Sequence, residues 1–592
     1  MNGPQRFFIG VPKSLNSSQQ MKTTLSFLFL FVSLFATASN KSGLFGYRWW
    51  PHYQYPYLLT DLDTTTAARW LLNLNIVAPL KGVWCTLLPT YHLAGETNDL
   101  TVKVTYRSKD VKQFYVTLNA ITKDARVSLC DTITLPASLS WAEVTRHVRL
   151  KHTDLLNVSL EATGKTDTLG TIQLADFGVY ADGLKLSNEV ADAAVAPLFS
   201  RNDLLHWGYG NYENLPFMES RILAVGETIH GTSTMNAIAM DVIKERVLKH
   251  QCKLVVLELP MESTFYINRY VKNDTRFKRD YVAHYLDDTL FGEATMRFID
   301  WLRQYNATHN NSVSVIGCDI NTDWMVGQVN LFNFLYALND GQKTPEMADF
   351  CKAVLVDVRW GSKRNVAALL NSSEVVKGSL QEDERLLVHK AIRLMQWIAN
   401  SDKRFGHRDG VMAQFTQFAI DSVYPKGTVT TMYAHTMHLN YALAVSPVFP
   451  YYYSAGHSLK DKYGESYSCI DIVACQGATI VSEKNGEYRG GMLATAPMRS
   501  IEYQLGQLGA DSLYLPMSKL LRNEALQMRY AGSGSTKSQF TYSYPKARVD
   551  GVLFVRKVEP VIKNEQTING WKDERNSTLN AYKEALDKMK AM

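Results

Sequence analysis

Several common catalytic signatures are absent from this chain of 592 residues. Only seven cysteines occur and no two of them form a C-x-x-C pair, so a thiolate zinc site is not indicated. No G-x-S-x-G nucleophile elbow occurs either, which argues against a serine esterase. Any hydrolytic chemistry in this protein must therefore use other side chains.

A strong excess of charge of one sign is also absent. The net charge of +6 is small for this length, and basic and acidic residues are interspersed along the chain. Because nucleic-acid-binding proteins usually concentrate Lys and Arg in one stripe, we expect no nucleic-acid partner. The chain is too long for a single hydrophobic core, so at least two domains are expected.

A short apolar run near the N-terminus has the pattern of an export signal. From Met21, one lysine precedes the apolar run Leu25–Phe35, and an A-x-A cleavage site ends at Ala38. A membrane span needs about 20 apolar residues, and this run is shorter. We interpret residues 1–20 as an over-extended start and 21–38 as a signal peptide. The mature protein is then periplasmic or extracellular, with no membrane span after cleavage.

If the protein is exported, its cysteines can form disulfides, because the compartments outside the cytoplasm are oxidising. Within the first domain, Cys85 and Cys130 are candidates for a pair. Most of the other cysteines lie in apolar, strand-like runs such as VIGCDI and IVACQG. Free thiols in such runs commonly behave as small buried hydrophobic side chains.

Residues 40–188 have the pattern of short antiparallel strands. Stretches such as DLTVKVTYRS and QFYVTLNAIT alternate apolar and polar residues, and turn residues separate them. This pattern predicts an all-β, jelly-roll-like sandwich resembling carbohydrate-binding modules. Two interpretations stay open for the aromatic residues at its start, which could stack on sugars or pack in the core: Trp49, Trp50, Tyr53, Tyr55 and Tyr57.

The region 200–565 has a different pattern, in which buried β-branched runs alternate with long helical stretches. Continuously hydrophobic strands are typical of a parallel or mixed sheet covered by helices on both faces. We therefore predict an α/β domain with a helical insert at about 343–423. The remaining residues, 566–592, are predicted to form a solvated helical tail.

The carboxyl ends of these predicted strands carry a set of titratable side chains. In open α/β sheets, ligands bind beyond this edge. The polar residues that the strands deliver there are, in chain order, Glu227, His230, Glu258, Asp319, His435 and His438. Several convergent acidic and imidazole groups at one sheet edge favour a catalytic site.

These segments resemble the erythromycin esterase family in sequence and in order. The similar stretches are ILAVGETIHGTS, LVVLELP, FIDWLRQYN, HRDGVMAQF, MYAHTMH, MRSIEYQLGQLG and VDGVLFVRKVEP. Together they span about 204–562 and leave the sandwich outside. The resemblance implies an α/β hydrolase that cleaves a carboxylic ester, a macrolactone or another ester, by attack of water. No cofactor is implied.

The resemblance also implies roles for particular residues. His230 corresponds to the general base, and Glu227 and Glu258 correspond to active-site carboxylates, one of which would fix the tautomer of the imidazole. His435 corresponds to a second histidine that stabilises the oxyanion or protonates the leaving alkoxide. His438 has either a structural or a chemical role.

Three further residues of the pattern are expected to support the site. We interpret Arg408 and Asp409 as a buried ion pair that organises it, with Asp319 as a supporting carboxylate. Two positions depart from the family: Ala239 stands where a basic residue is usual, and Thr436 where Asn is usual. Both departures, together with export, favour an ester outside the cytoplasm, such as one attached to glycan, over a macrolide.

Two other functions remain open. The same His and Glu residues could bind zinc or manganese, which would make the protein a metallohydrolase. Alternatively, the α/β domain has lost catalysis and the protein binds carbohydrate through its N-terminal domain. Loss of activity on chelation would indicate the first, and absence of any ester hydrolysis the second.

Overall fold

The structure is a computed structural model that describes residues 49–561 with gaps. The longest gap is 320–407, in which only residues 381–383, 386 and 389 are described. Beyond 561, residues 580, 583, 584 and 587 are described. The shorter gaps are 53–57, 64–70, 78–80, 94–96, 125, 152, 166–168, 187–195, 281, 283–285, 287–291, 442, 447–448, 483–487 and 530–539.

In its described residues, the N-terminal domain has eleven strands in two antiparallel sheets. One sheet has the order β1-β4-β9-β6-β7 and the other β2-β3-β10-β5-β8, with β11 paired to β10. The strands are β1 (Trp49–His52), β2 (Leu58–Asp63), β3 (Leu71–Val77), β4 (Lys81–His92), β5 (Thr97–Lys109), β6 (Val111–Ile121), β7 (Val127–Thr134), β8 (Ala142–Lys151), β9 (Leu155–Gly164), β10 (Leu169–Ala181) and β11 (Leu184–Lys185).

The two sheets pack face to face. Alternate residues of each sheet, such as Val116 and Leu160 from one and Val104 and Ile172 from the other, form a single buried cluster. On β5 the residues between them are exposed or half-buried, as a period of two requires, whereas polar residues of β6 and β9 such as Asn119 and Asn157 are buried. The predicted β-sandwich is thus confirmed, whereas the side chains of its N-terminal aromatic cluster lie outside the described residues.

The suggestion that Cys85 and Cys130 form a disulfide is wrong. Cys130 is a free thiol on β7, and Cys85 lies on β4. Strands β9 and β6 separate these two strands, so the backbones are about 14 Å apart at the usual strand spacing. A disulfide needs Cα atoms within about 7 Å. The expectation of buried thiols holds for three other cysteines: Cys252, Cys318 and Cys469.

Twelve further strands lie in the described part of the second domain. They are β12 (Ile222–Glu227), β13 (Cys252–Pro260), β14 (Ser314–Asp319), β15 (Val429–His435), β16 (Leu443–Ser446), β17 (Phe449–Tyr453), β18 (Tyr467–Ser482), β19 (Tyr488–Met492), β20 (Ser512–Pro516), β21 (Leu526–Arg529), β22 (Phe540–Ser543) and β23 (Gly551–Val558). Two of the pairs, β16–β17 and β21–β22, form separate hairpins.

The α-helices of this domain are α1 (Ser233–Lys249), α2 (Met261–Val271), α3 (Glu293–Thr308), α4 (Arg408–Phe418), α5 (Thr436–Leu439), α6 (Ala455–Tyr463) and α7 (Ile501–Gly506). A π turn, Ala419–Val423, continues α4. Short 3₁₀ turns lie at Arg201–Asp203, Pro216–Glu219, Gly464–Ser466, Met517–Lys519 and Pro545–Ala547. Most of the predicted helical insert at 343–423 lies outside the described residues.

The main sheet of this domain is mixed, with the order β14-β13-β15-β12-β18-β23-β20 and β19 on β18. The first six strands of that order run parallel, whereas β20 and β19 are antiparallel to their neighbours. Both faces of the sheet are covered by apolar layers. Ala224 and Met432 face the layer of α4 and α6, and Val225 and Leu257 face the layer of α1 and α3. The predicted α/β architecture is confirmed.

The sandwich contacts the second domain through the β21–β22 hairpin. The Tyr544 hydroxyl, just after β22, donates to Asp154 at 3.0 Å, and the ring of His92 stacks on Tyr542 at 5.3 Å. Ile121 and Leu155 pack against Tyr544 in a small buried cluster.

No helix in the described part of the chain is long and apolar enough to cross a membrane. The proposed signal peptide and most of the C-terminal tail lie outside the described residues. The boundaries predicted for them therefore remain predictions.

Candidate active site

The predicted site residues converge at one edge of the main sheet. Four adjacent strands, in the order β14-β13-β15-β12, all run parallel and end at this edge. Glu227, the last residue of β12, lies directly opposite His435, the last residue of β15. The parallel register therefore brings together side chains that are over 200 positions apart in the sequence.

Two glycines shape the backbone around Glu227 and His230. A Cβ atom on Gly226 would lie 2.7 Å from Oδ1 of Asp471 and 3.0 Å from Cα of Thr436, so only glycine fits between β12 and its neighbours. Gly231 has a φ of 73°, a left-handed conformation that favours glycine, and it turns the chain directly after His230. These glycines hold the histidine close to the strand end.

Glu227 and His230 form a buried pair. Oε1 of Glu227 lies 2.6 Å from Nδ1 of His230, and 13% of the His230 side chain is exposed. Burial alone would lower the pKa of His230, but the hydrogen bond and the negative charge of Glu227 outweigh it and raise that pKa. The pKa of His230 is thus raised and part of its side chain stays exposed, and its role as general base stays a prediction.

Two residues that sequence reasoning missed hold the other oxygen of Glu227. The Tyr433 hydroxyl donates to Oε2 at 2.5 Å, and Nδ2 of Asn236 donates to the same oxygen at 3.4 Å and to Tyr433 Oη at 2.8 Å. Both residues are buried. A signal was available for Tyr433, because it lies two positions before His435 and hence on the same face of β15.

His435 lies beside His230, with ring centroids 4.4 Å apart. Its Nδ1 accepts a hydrogen bond from the backbone N–H of Met437 at 3.3 Å. Burial and the positive charge of His230 hold the pKa of His435 well below its usual range. A neutral imidazole that accepts at Nδ1 carries its proton on Nε2, so His435 is a hydrogen-bond donor next to the base.

His438 is enclosed by carboxylates on both nitrogens. Nδ1 lies 2.6 Å from Oδ1 of Asp409, and Nε2 lies 3.2 Å from Oε1 of Glu258. Burial would lower the pKa of His438, but the two carboxylates raise it to about 10. His438 is therefore a buried cation at neutral pH, which favours the structural role among the two left open by the sequence.

Glu258 does not hold the imidazole of His230 in the way that Glu227 does. Its Oε2 accepts from the backbone N–H of His435 at 2.8 Å, and its Oε1 accepts from Arg408 at 3.1 Å. Burial would raise the pKa of Glu258, but His438 and Arg408 hold it well below the usual range. This permanent carboxylate fixes the start of α5 and thereby the place of His435.

The expected ion pair between Arg408 and Asp409 needs a correction. Arg408 donates to both oxygens of Asp319, at 2.9 and 2.6 Å, as well as to Glu258, whereas Asp409 bonds to His438. Adjacent residues at the start of α4 point to different partners, because successive side chains on a helix diverge by about 100°. Asp319 lies at the same edge and bonds to Arg408, and the supporting roles of these three residues stay predictions.

The two departures from the family pattern lie in buried surroundings. Ala239 is fully buried in the apolar layer under α1. The Thr436 hydroxyl donates to Oδ1 of Asp471 and accepts from Arg548 at 3.2 Å. Thr436 thus belongs to a buried polar network with Asp471 and Arg548. Sequence reasoning missed these two residues because the strand of Asp471 and the loop of Arg548 carried no recognisable motif.

Metal binding was the alternative use of these side chains. Within the residues that the structure describes, no group of three or more His, Cys, Asp or Glu side chains is arranged to hold a metal ion. The imidazole nitrogens of His438 and Nδ1 of His230 bond to carboxylates instead. The arrangement supports proton transfer between His230 and a small molecule at its exposed edge.

One family of known proteins matches most of the second domain. The erythromycin esterase family matches residues 247–558, which include Glu258, Arg408, His435 and His438 but not the Glu227–His230 pair. No curated protein matches the chain. The place of Glu227 and His230 in the site therefore rests on the structure.

Solved structures are similar over the second domain. A protein from Bacillus cereus has 18% identity and a TM-score of 0.51, covering 61% of this chain and 97% of its own. A succinoglycan biosynthesis protein has 15% identity and a TM-score of 0.51, covering 61% and 95%. An erythromycin esterase in an open conformation has 13% identity and a TM-score of 0.45, covering 59% and 94%. The first two establish a shared fold.

Proposed function

This chain belongs to the erythromycin esterase family, and from that premise we propose that it hydrolyses a carboxylic ester. The attacking nucleophile is a water molecule that His230 deprotonates. One observation carries the proposal: a solvent-accessible imidazole bonded to a buried carboxylate at 2.6 Å, with a second, neutral imidazole 4.4 Å away. A base and a hydrogen-bond donor side by side are what ester hydrolysis requires.

In the first step, Nε2 of His230 takes a proton from water while the water oxygen bonds to the ester carbonyl carbon. Glu227 stabilises the imidazolium that forms, because its carboxylate is negatively charged and accepts a hydrogen bond from Nδ1–H. The π electrons of the carbonyl move onto its oxygen. Nε2–H of His435 donates to this oxyanion.

In the second step, the tetrahedral intermediate collapses. The carbonyl re-forms, the bond to the alcohol oxygen breaks, and the His230 imidazolium returns its proton to the leaving alkoxide. The products are a carboxylic acid and an alcohol, so the atoms of one water molecule are added and the enzyme ends in its starting state. No cofactor takes part.

The substrate is a small-molecule ester outside the cytoplasm. An A-x-A export signal and an added β-sandwich, neither of which a cytoplasmic drug-inactivating esterase needs, support this location and an ester carried on glycan. Expression of the full chain followed by cell fractionation tests the location. Recovery of the uncleaved protein in the cytoplasm would contradict it.

Activity is tested by assaying the mature protein against macrolides, acylated glycans and simple aryl esters. We expect acid release from at least one class, with kcat/KM falling on the acid side. Because the pKa of His230 is raised, the midpoint of that fall should lie above pH 6.5, the ordinary value for histidine. No hydrolysis of any ester would favour a protein that only binds carbohydrate.

A further inference from the structure

We propose that the backbone amide of Gly292 sets the tautomer of His230 through a one-way chain of hydrogen bonds in which Asn236 and Tyr433 are positioning residues. The chain runs from Gly292 N–H to Asn236, then to Tyr433, then to Glu227, and ends at His230. This proposal deepens the proposed function and rests on it only for the meaning of the tautomer in catalysis.

The first bond fixes the direction of the chain. The backbone N–H of Gly292, at the start of α3, lies 2.8 Å from Oδ1 of Asn236. A backbone N–H can only donate, so the oxygen of the Asn236 amide must face it. The Nδ2 group is then turned toward Tyr433, to which it donates at 2.8 Å.

The direction of the remaining bonds follows from the first. Tyr433 accepts from Asn236, so its own hydroxyl proton is available for Glu227 Oε2, 2.5 Å away. Asn236 donates weakly to that same oxygen at 3.4 Å. With donors on Oε2, Glu227 is maintained as a carboxylate, and its Oε1 accepts from Nδ1 of His230 at 2.6 Å. The lone pair of the His230 ring is then on Nε2, the nitrogen that takes the proton from water in the proposed reaction.

This support is needed because Glu227 is buried beside an imidazole. Burial raises the pKa of Glu227, and the hydrogen bonds of His230 and Tyr433 oppose that rise. Without donors on Oε2, the protonated pair, whose imidazolium carries a proton on each nitrogen, would transfer the Nδ1 proton from His230 to the carboxyl group. The carboxylic acid would then donate to Nδ1, and the neutral imidazole would carry its proton on Nε2, where it cannot act as a base.

The chain can be broken at two points without changing side-chain size. Tyr433→Phe removes the donor to Glu227. Asn236→Asp replaces Nδ2 by an oxygen that accepts the Tyr433 proton, which reverses the direction of the chain at that point. Tyr467→Phe and Asn306→Asp are matched controls, because both residues are buried and hydrogen-bonded in the same domain but make no contact with Glu227.

The tautomer is measured directly by nitrogen NMR of histidine-labelled protein over a pH titration, and it is compared at the lowest pH at which the imidazole of His230 is neutral in each protein. His230→Gln assigns the signal. We expect the Nδ1–H form in the wild type and in both controls, and a shift of at least half of the population to Nε2–H in Asn236→Asp. An Nε2–H form in the wild type, or an unchanged tautomer in both Tyr433→Phe and Asn236→Asp, would overturn the proposal.

A kinetic measurement gives a second result. We expect kcat to fall about 10-fold in Tyr433→Phe and about 100-fold or more in Asn236→Asp, with KM nearly constant, because a wrong tautomer removes the base but leaves substrate binding intact. If the wild type hydrolyses no ester but the variants still shift the tautomer, the proposed function fails and this inference stands. Equal losses in the control variants would count against it.

Discussion

His230 and His438 lie at the same sheet edge, and each bonds a carboxylate at 2.6 Å through Nδ1. They differ at the second nitrogen. Nε2 of His438 faces Glu258 in a side chain that is 3% exposed, whereas the His230 side chain is 13% exposed. We propose that His230, with one carboxylate and a partly exposed side chain, acts as a base, and that His438, with two carboxylates and a buried side chain, is a fixed cation.

This comparison shows that a histidine–carboxylate pair does not define a catalytic base. The number of carboxylates sets how strongly the imidazolium is stabilised, and access to the second nitrogen decides whether a substrate can receive or give the proton. The two histidines should therefore respond to mutation in different measurable quantities. Activity should depend on His230, and stability on His438.

The largest effect is expected for His230→Ala, which should reduce ester turnover by about 10²–10⁴-fold, since positioned proton transfer makes contributions of this order. The circular dichroism spectrum should be unchanged. His147→Ala, which removes an exposed histidine of the sandwich, should leave turnover at the wild-type level. If His230→Ala retains turnover within about tenfold of the wild type, His230 is not the general base.

His438→Gln should lower the free energy of unfolding by about 3–5 kcal/mol, because Asp409 and Glu258 lose the buried cation between them. Urea denaturation measures this change. Turnover at a temperature where the variant is folded should fall less than in His230→Ala. A variant as stable as the wild type would show that the two histidines do not differ in the proposed way.

The pH dependence of stability sharpens the same comparison. The folded-state pKa of His438 is raised from 6.5 to about 10, so its contribution is fully present below pH 6.5 and is lost as the pH rises through 10. Between these values, the free energy of unfolding should fall more steeply with rising pH in the wild type than in His438→Gln, by up to about 1.4 kcal/mol per pH unit. Identical slopes in urea titrations at pH 7 and 9 would contradict this.

His435→Phe should reduce kcat by about 10²–10³-fold, because it retains a ring but removes the donor to the oxyanion. His435→Gln, which keeps an N–H donor, should recover part of the loss. The midpoint of the acid limb should remain that of His230. Equal kcat values for wild type and His435→Phe would exclude a role for this imidazole in the transition state.

The smallest effect is expected from chelation. Dialysis against a metal chelator should change turnover by less than about twofold, since the proposed base is an imidazole rather than a metal-bound water. Added zinc or manganese should not increase the rate of the dialysed protein. Complete loss on dialysis, with recovery on addition of one divalent ion, would instead support the metallohydrolase.

Much of the architecture was predictable because it depends on local periodicity. Alternation over stretches such as DLTVKVTYRS indicated a sandwich strand with one buried face, and β5 contains that stretch. Uniformly apolar strands indicated a sheet buried on both faces, as β12 and β14 are. Glu227, Glu258 and His435 could be assigned to one edge because they follow such strands.

Partners across the site were less predictable. Arg408 was expected to pair with its neighbour Asp409, but it bonds to Asp319 and Glu258. Tyr433 lies within MYAHTMH but outside its histidine pattern, and Asn236 carried no motif, so both could be mistaken for core residues. The Cys85–Cys130 pairing failed for the same reason, since cysteine spacing along the chain does not reveal how many strands separate two residues in a sheet.

By itself, the sequence determined which segments become strands and helices and which titratable side chains follow each strand, because these depend on residues close together in the chain. Only the tertiary structure decided which imidazole meets one carboxylate and which meets two, and which nitrogen is left exposed to solvent. Those properties arise from the order and register of parallel strands that are far apart in sequence, and small differences in distance and burial there decide where a proton resides.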